Sequence, residues 1–399
     1  MLRLNSSFSQ DKKTVFIVAG EASGDLHGAN LIKALKRRIP EIRVAGIGGP
    51  RMREAGLYCL YKAEKMAVVG LTEVVFHLKD VWLARQRAKA FLKKVQPKVF
   101  IPIDYPDFNF HLASFAKQLN IPVVYYISPQ VWAWRRGRVR KMAQFVDKVA
   151  AILPFEEEFY ARYGIDVTFV GHPLLDVIPE TSTLETEQIT TSEIASPLIG
   201  LLPGSRKSEV EHLLPLMLKT ASIIYQKRPE LKFILPVAST LSLNWLKGFV
   251  SKLIQSSSNF FDIPLELYKP SSLIEQYRVM QKCAFLLVAS GTATLETAIL
   301  ERPFVIIYRL SNLSYFLGRI LVSVPYIGLV NWVAGEKIIP EFIQSEARPE
   351  VIAQYVLATM EDFTKIEHIT KRLRTLRHRL GKSGVADRVA SMIMEFIEQ

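Results

Sequence analysis

Residues 14–38 read Thr-Val-Phe-Ile-Val-Ala-Gly-Glu-Ala-Ser-Gly-Asp-Leu-His-Gly-Ala-Asn-Leu-Ile-Lys-Ala-Leu-Lys-Arg-Arg, and this pattern decides the fold. Val15–Ala19 is an unbroken apolar run, which predicts a strand buried on both faces, as in a parallel sheet covered by helices. The loop Gly20-Glu21-Ala22-Ser23-Gly24-Asp25 follows, and Leu26–Arg38 then carries helical spacing. The alternation continues outward. Arg43–Ile47, Val99–Ile103, Val123–Ile127, Val149–Leu153 and Val167–Val170 read as strands, with helices at Val81–Val95 and Phe108–Leu119. After Gly171-His172-Pro173, residues 179–197 are rich in Thr, Ser and Glu and read as a linker or surface loop. The pattern restarts with Ile199–Leu202, a Pro-Gly-Ser loop and a helix from about Glu209; Phe233–Val237, Phe285–Ala289 and Phe304–Tyr308 continue it. The expected class is α/β, with two doubly wound parallel-sheet domains at 1–178 and 179–348 and terminal helices over 349–399.

Composition limits the partners. The chain has 399 residues, 51 Lys and Arg against 38 Asp and Glu, and a formal net charge of +13. That excess favours anionic partners: a nucleotide, a phosphorylated lipid, a membrane surface or nucleic acid. Cys59 and Cys283 lie far apart without metal-ligand spacing, so neither a disulfide framework nor a zinc site is expected, and a reducing compartment is the natural inference. Ile320–Ala334 contains Pro325 and Asn331 and is shorter than a spanning helix, so no membrane span is expected. Met1–Asp11 lacks the pattern of a signal peptide.

Open α/β sheets bind ligands at the carboxyl ends of their strands. Glycine and serine around Gly20–Asp25 let backbone N–H groups approach a ligand, but neither a dinucleotide fingerprint nor a phosphate-binding P-loop is present. The alternative is a turn capped by Ser23 or Asp25. Pro203-Gly204-Ser205-Arg206-Lys207 places an Arg before a helix start, suited to phosphate oxygens, or simply exposed beside a turn. Ser290-Gly291-Thr292 leads a buried strand into a helix whose first turn is a ready anion site; Glu296, one turn further, is in reach of ribose hydroxyls or is ordinary helix surface. Asp104 is the first carboxylate past the strand Val99–Ile103, either a base or a structural residue. Asp107 reads as the N-cap of a helix beginning near Phe108.

Trp132 and Trp134 precede Arg135, Arg136, Arg138, Arg140 and Lys141, a run that fits nucleic-acid stacking, a lipid phosphate, an anionic bilayer or a solvated face. The basic run Lys371–Lys382 reads as helix surface with a membrane role open. Met66, Val68, Val69, Leu71, Val75 and Phe76 form a dense apolar stretch, either core or a patch that meets acyl chains or the bilayer.

Several strings are together familiar. Val-Ala-Gly-Glu-Ala-Ser-Gly-Asp at 18–25, Gly-Gly-Pro-Arg-Met at 48–52, Asp-Tyr-Pro-Asp-Phe-Asn at 104–109 and Ser-Pro-Gln-Val-Trp-Ala-Trp at 128–134 resemble the lipid-A-disaccharide synthase family. So do Leu-Pro-Phe-Glu at 153–156, Gly-His-Pro at 171–173, Leu-Leu-Pro-Gly-Ser-Arg at 201–206 and Ala-Ser-Gly-Thr-Ala-Thr-Leu-Glu at 289–296. One departure is Val330, where the family motif has Pro before Asn.

The resemblance implies a GT-B glycosyltransferase: two Rossmann-like domains with a cleft between them, the first for acceptor and membrane, the second for the UDP-sugar, and terminal helices packing back on the first. It implies inverting, metal-independent transfer of 2,3-diacylglucosamine from its UDP donor to the 6-hydroxyl of 2,3-diacylglucosamine 1-phosphate (lipid X). The products would be UDP and lipid A disaccharide 1-phosphate, with no cofactor. Asp104 then becomes the base, and Glu21, Ser23 and Gly24 face the acceptor or transferred sugar. Arg206 and Ser290-Gly291-Thr292 hold the diphosphate, and Glu296 and Asn331 hold the nucleoside. The apolar 66–83 region meets acyl chains, and the Arg135–Lys141 cluster is a candidate for the lipid X phosphate. Implied partners are both lipid substrates and the cytoplasmic face of the inner membrane, not nucleic acid; a homodimer stays open. The rivals are another GT-B protein, such as a UDP-GlcNAc 2-epimerase, and a basic adaptor with decayed loops.

Overall fold

The computed structural model describes residues 13–66, 74–132, 137–179, 197–255, 263–309 and 326–398. Two compact units divide the chain: Met1–Asp176 with Gly381–Gln399, and Val177–Leu380. The first contains β1 (Thr14–Ala19), α1 (Ala22–Arg38), β2 (Arg43–Gly48), α2 (Pro50–Glu54), β3 (Tyr58–Lys62), α3 (Val74–Val95) and β4 (Val99–Ile103). It continues with α4 (Pro106–Gln118), β5 (Val124–Tyr126), α5 (Gly137–Met142), β6 (Lys148–Ala151), α6 (Pro154–Ala161) and β7 (Asp166–Phe169). The second unit contains β8 (Leu198–Leu202), α7 (Lys207–Lys227), β9 (Lys232–Pro236), α8 (Leu243–Gln255), β10 (Leu265–Tyr268), α9 (Leu273–Lys282) and β11 (Cys283–Ala289). After these come α10 (Thr292–Ile299), β12 (Phe304–Tyr308), α11 (Leu329–Ala334), β13 (Glu341–Ile343), α12 (Pro349–Glu361) and α13 (Phe363–Arg379). Finally, α14 (Val385–Ile397) belongs to the first unit.

Each unit has a parallel sheet. The strand order is β3-β2-β1-β4-β5-β6-β7 in the first and β10-β9-β8-β11-β12-β13 in the second. β1 and β8 are buried at every position, as their unbroken apolar runs require. In both sheets the chain winds outward one way and then returns to start the other side. That leaves a topological switch point between β1 and β4 and another between β8 and β11, where loops diverge and a ligand can reach the sheet end. The registers Ala19↔Ile103 and Leu202↔Val288 set which loops lie there: Gly20-Glu21 with Asp104-Tyr105, and Pro203–Arg206 with Ser290–Thr292.

Helix starts differ from the sequence reading. α1 begins at Ala22, so the first loop shrinks to Gly20 and Glu21. Asp25 does not cap it. Its buried carboxylate accepts the N–H groups of Arg51 and Met52, both at 3.0 Å, and so closes the start of α2. Gly49 is required there, because a Cβ would sit 2.5 Å from that carboxylate. Asp107 is not an N-cap either: α4 starts at Pro106, which supplies the fixed φ of a first helical position.

The terminal helices are split rather than packed together on the first unit. α12 buries Ile352, Ala353, Val356 and Leu357 in the second core, against α7. α13 packs on α10 and α11; Arg374 pairs with Glu301, and Arg377 and Arg379 donate to the Ile299 and Ala334 carbonyls. The Lys371–Lys382 run is therefore only partly a solvated face. α14 alone joins the first unit, on α1, with its N-terminus closed by Asp176, which accepts from Gly384, Val385 and Ala386.

Asn331 is a knot in the second unit. It is fully buried, and its amide donates to the Ile339 carbonyl and to Glu341, both at 2.8 Å. Its oxygen accepts from the Ile338 and Ile339 N–H groups at 2.9 and 3.0 Å. Glu341 also takes the N–H groups of Ile327 and Gly328. All of this side chain's bonding capacity is used inside the loop, so Asn331 shapes the loop and does not itself hold a nucleoside. Asn331→Ala would orphan those buried groups and should lower stability by about 2–4 kcal/mol. Urea denaturation checks this; a loss of UDP affinity with unchanged stability would contradict it.

Candidate active site

The switch point of the first sheet is built around Asp104. This residue and Tyr105 both adopt left-handed backbone conformations, with φ of 47° and 52°. Consecutive non-glycine residues in that region cost about 1–3 kcal/mol each and persist only where the surroundings hold them. Here the holders are identifiable. The Asp104 N–H donates to the Ile127 carbonyl at 3.1 Å. Its carbonyl accepts from the Tyr125 hydroxyl at 2.9 Å and from the amide of buried Asn109 at 2.6 Å. The turn lays the Tyr105 ring over Gly20, where an added Cβ would lie 2.5 Å from it. Gly20 is therefore fixed by the opposite loop, not by its own.

This turn projects the Asp104 side chain at the strand end, half-buried. Burial first, then the Glu21 charge, pushes its carboxyl up to about 6, against one backbone hydrogen bond at Tyr105 that pulls it down. Glu21 is the N-cap of α1 but makes no side-chain capping bond, so its exposed carboxylate is left facing Asp104's field. Ser23 is exposed in the first turn of α1. Gly24 is buried, where a Cβ would meet Ala19 at 3.2 Å and Ile103 at 3.6 Å; it sets helix–sheet spacing instead of facing a ligand.

In the second unit the two loops differ. At the start of α7 the Glu209 carboxylate accepts the N–H groups of Ser205 and Arg206 at 2.9 and 3.2 Å, so two N–H groups of the loop leading into the helix are already taken. The Arg206 side chain is 70% exposed and meets Glu209 only at 3.5 Å, a weak surface pair that leaves the guanidinium available. At α10, Gly291 is exposed with nothing within 4 Å of an added Cβ, and Thr292 is exposed beside it. Ser290 donates its N–H to Ile307, and Thr294 turns inward to bond the Gly291 carbonyl at 2.8 Å. Glu296 is half-buried; burial pushes its carboxyl up to about 7, and a hydrogen bond with Tyr277 pulls the other way.

Other expected residues fall elsewhere. Met66 is packed in the first core, 2% exposed, so it cannot contribute to an acyl-binding surface. Val68, Val69 and Leu71, and the side chains of Val75 and Phe76, lie outside the described residues, as do Trp134, Arg135 and Arg136. Arg138 pairs with Asp107 at 2.7 Å, while Arg140 and Lys141 are exposed. Among the described residues no group of three or more His, Cys, Asp or Glu side chains is arranged to hold a metal ion, and no helix is long and apolar enough to cross a membrane. Tyr105, Asn109 and Tyr125 carry the Asp104 geometry, yet the sequence reading gave them no role. An amide five residues past Asp104 on the apolar face of a helix was the available signal.

Comparison with known proteins adds the chemistry. A family model described as lipid-A-disaccharide synthetase matches residues 15–393. The chain is 46% identical over 398 residues to the lipid-A-disaccharide synthase of Syntrophus aciditrophicus, covering 98% of this chain and 99% of that one. It is 41% identical over 391 residues to that of Nitrosococcus oceani, covering 96% of each. Among solved structures, a putative UDP-N-acetylglucosamine 2-epimerase from Listeria monocytogenes superposes with a TM-score of 0.66 at 12% identity, covering 97% of each chain. Acinetobacter baumannii MurG gives 0.54 at 13% identity, covering 96% of this chain and 99% of that one. At such identities the structures attest only the shared GT-B fold, so the epimerase likeness carries no activity across. The sequence matches span nearly the whole chain: the chain belongs to the lipid-A-disaccharide synthase family, UDP-sugar glycosyltransferases of lipid A biosynthesis.

Proposed function

We propose that the protein transfers 2,3-diacylglucosamine from its UDP donor to the 6-hydroxyl of 2,3-diacylglucosamine 1-phosphate with inversion, and that Asp104 is the base. The observation that carries this reading is the Asp104 carboxyl itself: at a switch point, clamped at both backbone ends, and pushed up to about 6 by burial and Glu21. A base with a pKa near the working pH combines availability with proton affinity. Asp104 takes the hydroxyl proton as the oxygen attacks C1 from the face opposite UDP. The C1–O bond to the diphosphate breaks, and its electron pair leaves with UDP.

The leaving diphosphate gathers negative charge. We assign its stabilisation to the Arg206 guanidinium and to the N–H groups at the start of α10, with no divalent cation and no cofactor. Glu296 addresses the nucleoside. The apolar stretch Val68–Phe76 meets acyl chains at the cytoplasmic face of the inner membrane, as a peripheral contact. Supporting this, Trp82 on α3 is 51% exposed near exposed Lys79, an aromatic-and-cation pairing suited to a bilayer interface.

Asp104→Asn should abolish turnover. Because the folded-state pKa of Asp104 lies above its ordinary 3.8, its contribution to stability is full below that value and lost as pH rises through about 6. The same variant should therefore gain about 1–3 kcal/mol of stability at pH 8, read by denaturant titration; retained turnover would remove Asp104 as base. Glu21→Gln removes the like charge, so the acid limb of kcat/KM against pH should move to lower pH. An unmoved midpoint would sink the coupling.

Arg206→Ala should weaken UDP binding by roughly 10–100-fold in calorimetry, and EDTA should leave wild-type turnover unchanged. Restoration of a chelator-silenced enzyme by magnesium would overturn the cation-free account. Replacing Val68, Val69 and Leu71 together with Ser should reduce sedimentation with anionic lipid vesicles; undiminished binding would return that stretch to another role.

A further inference from the structure

Two of the strings that resemble the family, Ser-Pro-Gln-Val-Trp-Ala-Trp and Leu-Pro-Phe-Glu, have no part in the chemistry above. The structure joins their described residues through one side chain. Glu156, 1% exposed, is the third residue of α6. One carboxylate oxygen accepts the N–H groups of Ile152 and Leu153 at 3.0 and 3.1 Å. The other accepts the Trp132 indole N–H at 3.1 Å and the Ser128 hydroxyl at 3.4 Å. Tyr160, from the same helix, donates to Ser128 Oγ at 2.8 Å, and the Trp132 ring packs edge-on against Phe155 at 4.8 Å.

Burying a carboxylate is costly, and here the four buried donors that converge on it offset that cost. What the carboxylate supplies is four convergent acceptor directions. The segment it fixes starts one residue after Ile127, which has a left-handed φ of 56° and whose carbonyl takes the Asp104 N–H. One residue before Ile127, β5 ends, and within β5 Tyr125 bonds the Asp104 carbonyl. Both backbone anchors of Asp104 that come from this segment therefore lie directly upstream of the Glu156 tie.

We propose that Glu156 is a positioning residue for glycosyl transfer: it locks the loop after β5, and through Ile127 that loop fixes the orientation of Asp104. This rests on the assignment of Asp104 as base. The side chain touches neither substrate nor the reacting atoms; it acts by holding the base within the narrow geometric tolerance that proton abstraction needs, where a misplacement of about 1 Å can cost about 100-fold in rate.

The test uses the full-length enzyme with both lipid substrates. Glu156→Gln is isosteric and keeps acceptors for two N–H groups, but it turns an NH2 group against Trp132 or Ser128. It should lower kcat by about 10–100-fold, leave both KM values within about twofold, and move the midpoint of the acid limb, because the surroundings of Asp104 change. The nitrogen-15 resonance of the Trp132 indole should shift with it. A drop in the fraction of folded enzyme would lower kcat without moving that midpoint, so a kcat loss at an unmoved midpoint overturns the proposal, as does near-normal kcat. If Glu156→Gln fails to fold, Trp132→Phe removes a single donor and should give a smaller kcat loss at unchanged KM, again with a shifted midpoint; wild-type kcat and midpoint would overturn the proposal. Retained turnover in Asp104→Asn would instead remove the base assignment beneath it, whereas an inactive Asp104→Asn beside a fully active Glu156→Gln removes the positioning role alone.

Discussion

Everything at the first switch point depends on two adjacent left-handed residues, Asp104 and Tyr105, being held against their backbone preference. Left free, that turn would relax, because each residue is disfavoured by about 1–3 kcal/mol. The Asn109 amide, the Tyr125 hydroxyl and the Ile127 carbonyl supply three hydrogen bonds to one residue's backbone, each worth about 1 kcal/mol net. The Tyr105 ring closing over Gly20 adds a packing contact that only glycine permits. The strain is thus roughly matched by local bonds. Its product is a carboxyl at the sheet end with few donors of its own.

That poverty of donors separates the carboxylate proposed as the base from structural ones. Asp25, Asp176 and Glu341 each accept two or three backbone N–H groups and close a helix start or a loop. Glu156 accepts four donors in all. Their capacity is consumed by the fold, leaving little with which to bind or deprotonate a substrate. Burial pushes the carboxyls of both Glu156 and Asp104 up, to about 7 and about 6, but at Asp104 a like charge adds to burial and only one backbone hydrogen bond opposes it. Carboxylates on which several N–H groups converge serve the fold, whereas Asp104, with one backbone hydrogen bond, is left for the proposed chemistry.

This also explains what could be read from the chain. Unbroken apolar runs such as Val15–Ala19 report burial on both faces, so the parallel sheets were legible, and the loops Gly20–Asp25, Asp104–Asn109, Pro203–Arg206 and Ser290–Glu296 follow from where such runs stop. Short strands at Tyr58–Lys62, Leu265–Tyr268 and Glu341–Ile343 escaped, because their residues are mixed in polarity and their pairing comes from the sheet. Long-range partnership was invisible. Nothing in the linear order says that Asp25 caps a helix starting at Pro50, or that Asn331 bonds Glu341 and is sealed from solvent. Met66 looked like part of a greasy surface for the same reason: hydrophobicity does not state which side of the sheet a residue faces. The terminal helices read alike as amphipathic segments, and only packing assigns α12 and α13 to one unit and α14 to the other.

The second unit poses the same question at two helix starts that look equivalent in sequence. Both follow a buried strand and a small-residue loop, and both present the positive end of a helix. Glu209 breaks the equivalence at α7. Its carboxylate already occupies the Ser205 and Arg206 N–H groups, so a diphosphate approaching there would meet a fixed negative charge where free donors are needed. Among the described residues nothing lies within 4 Å of a Cβ added at Gly291, and Thr292 is exposed. In the proposed reaction the helix field is accordingly assigned to α10. The contribution proposed for the Pro203–Arg206 loop is the Arg206 side chain, 70% exposed, with Glu209 anchoring its backbone and pairing only weakly with its guanidinium.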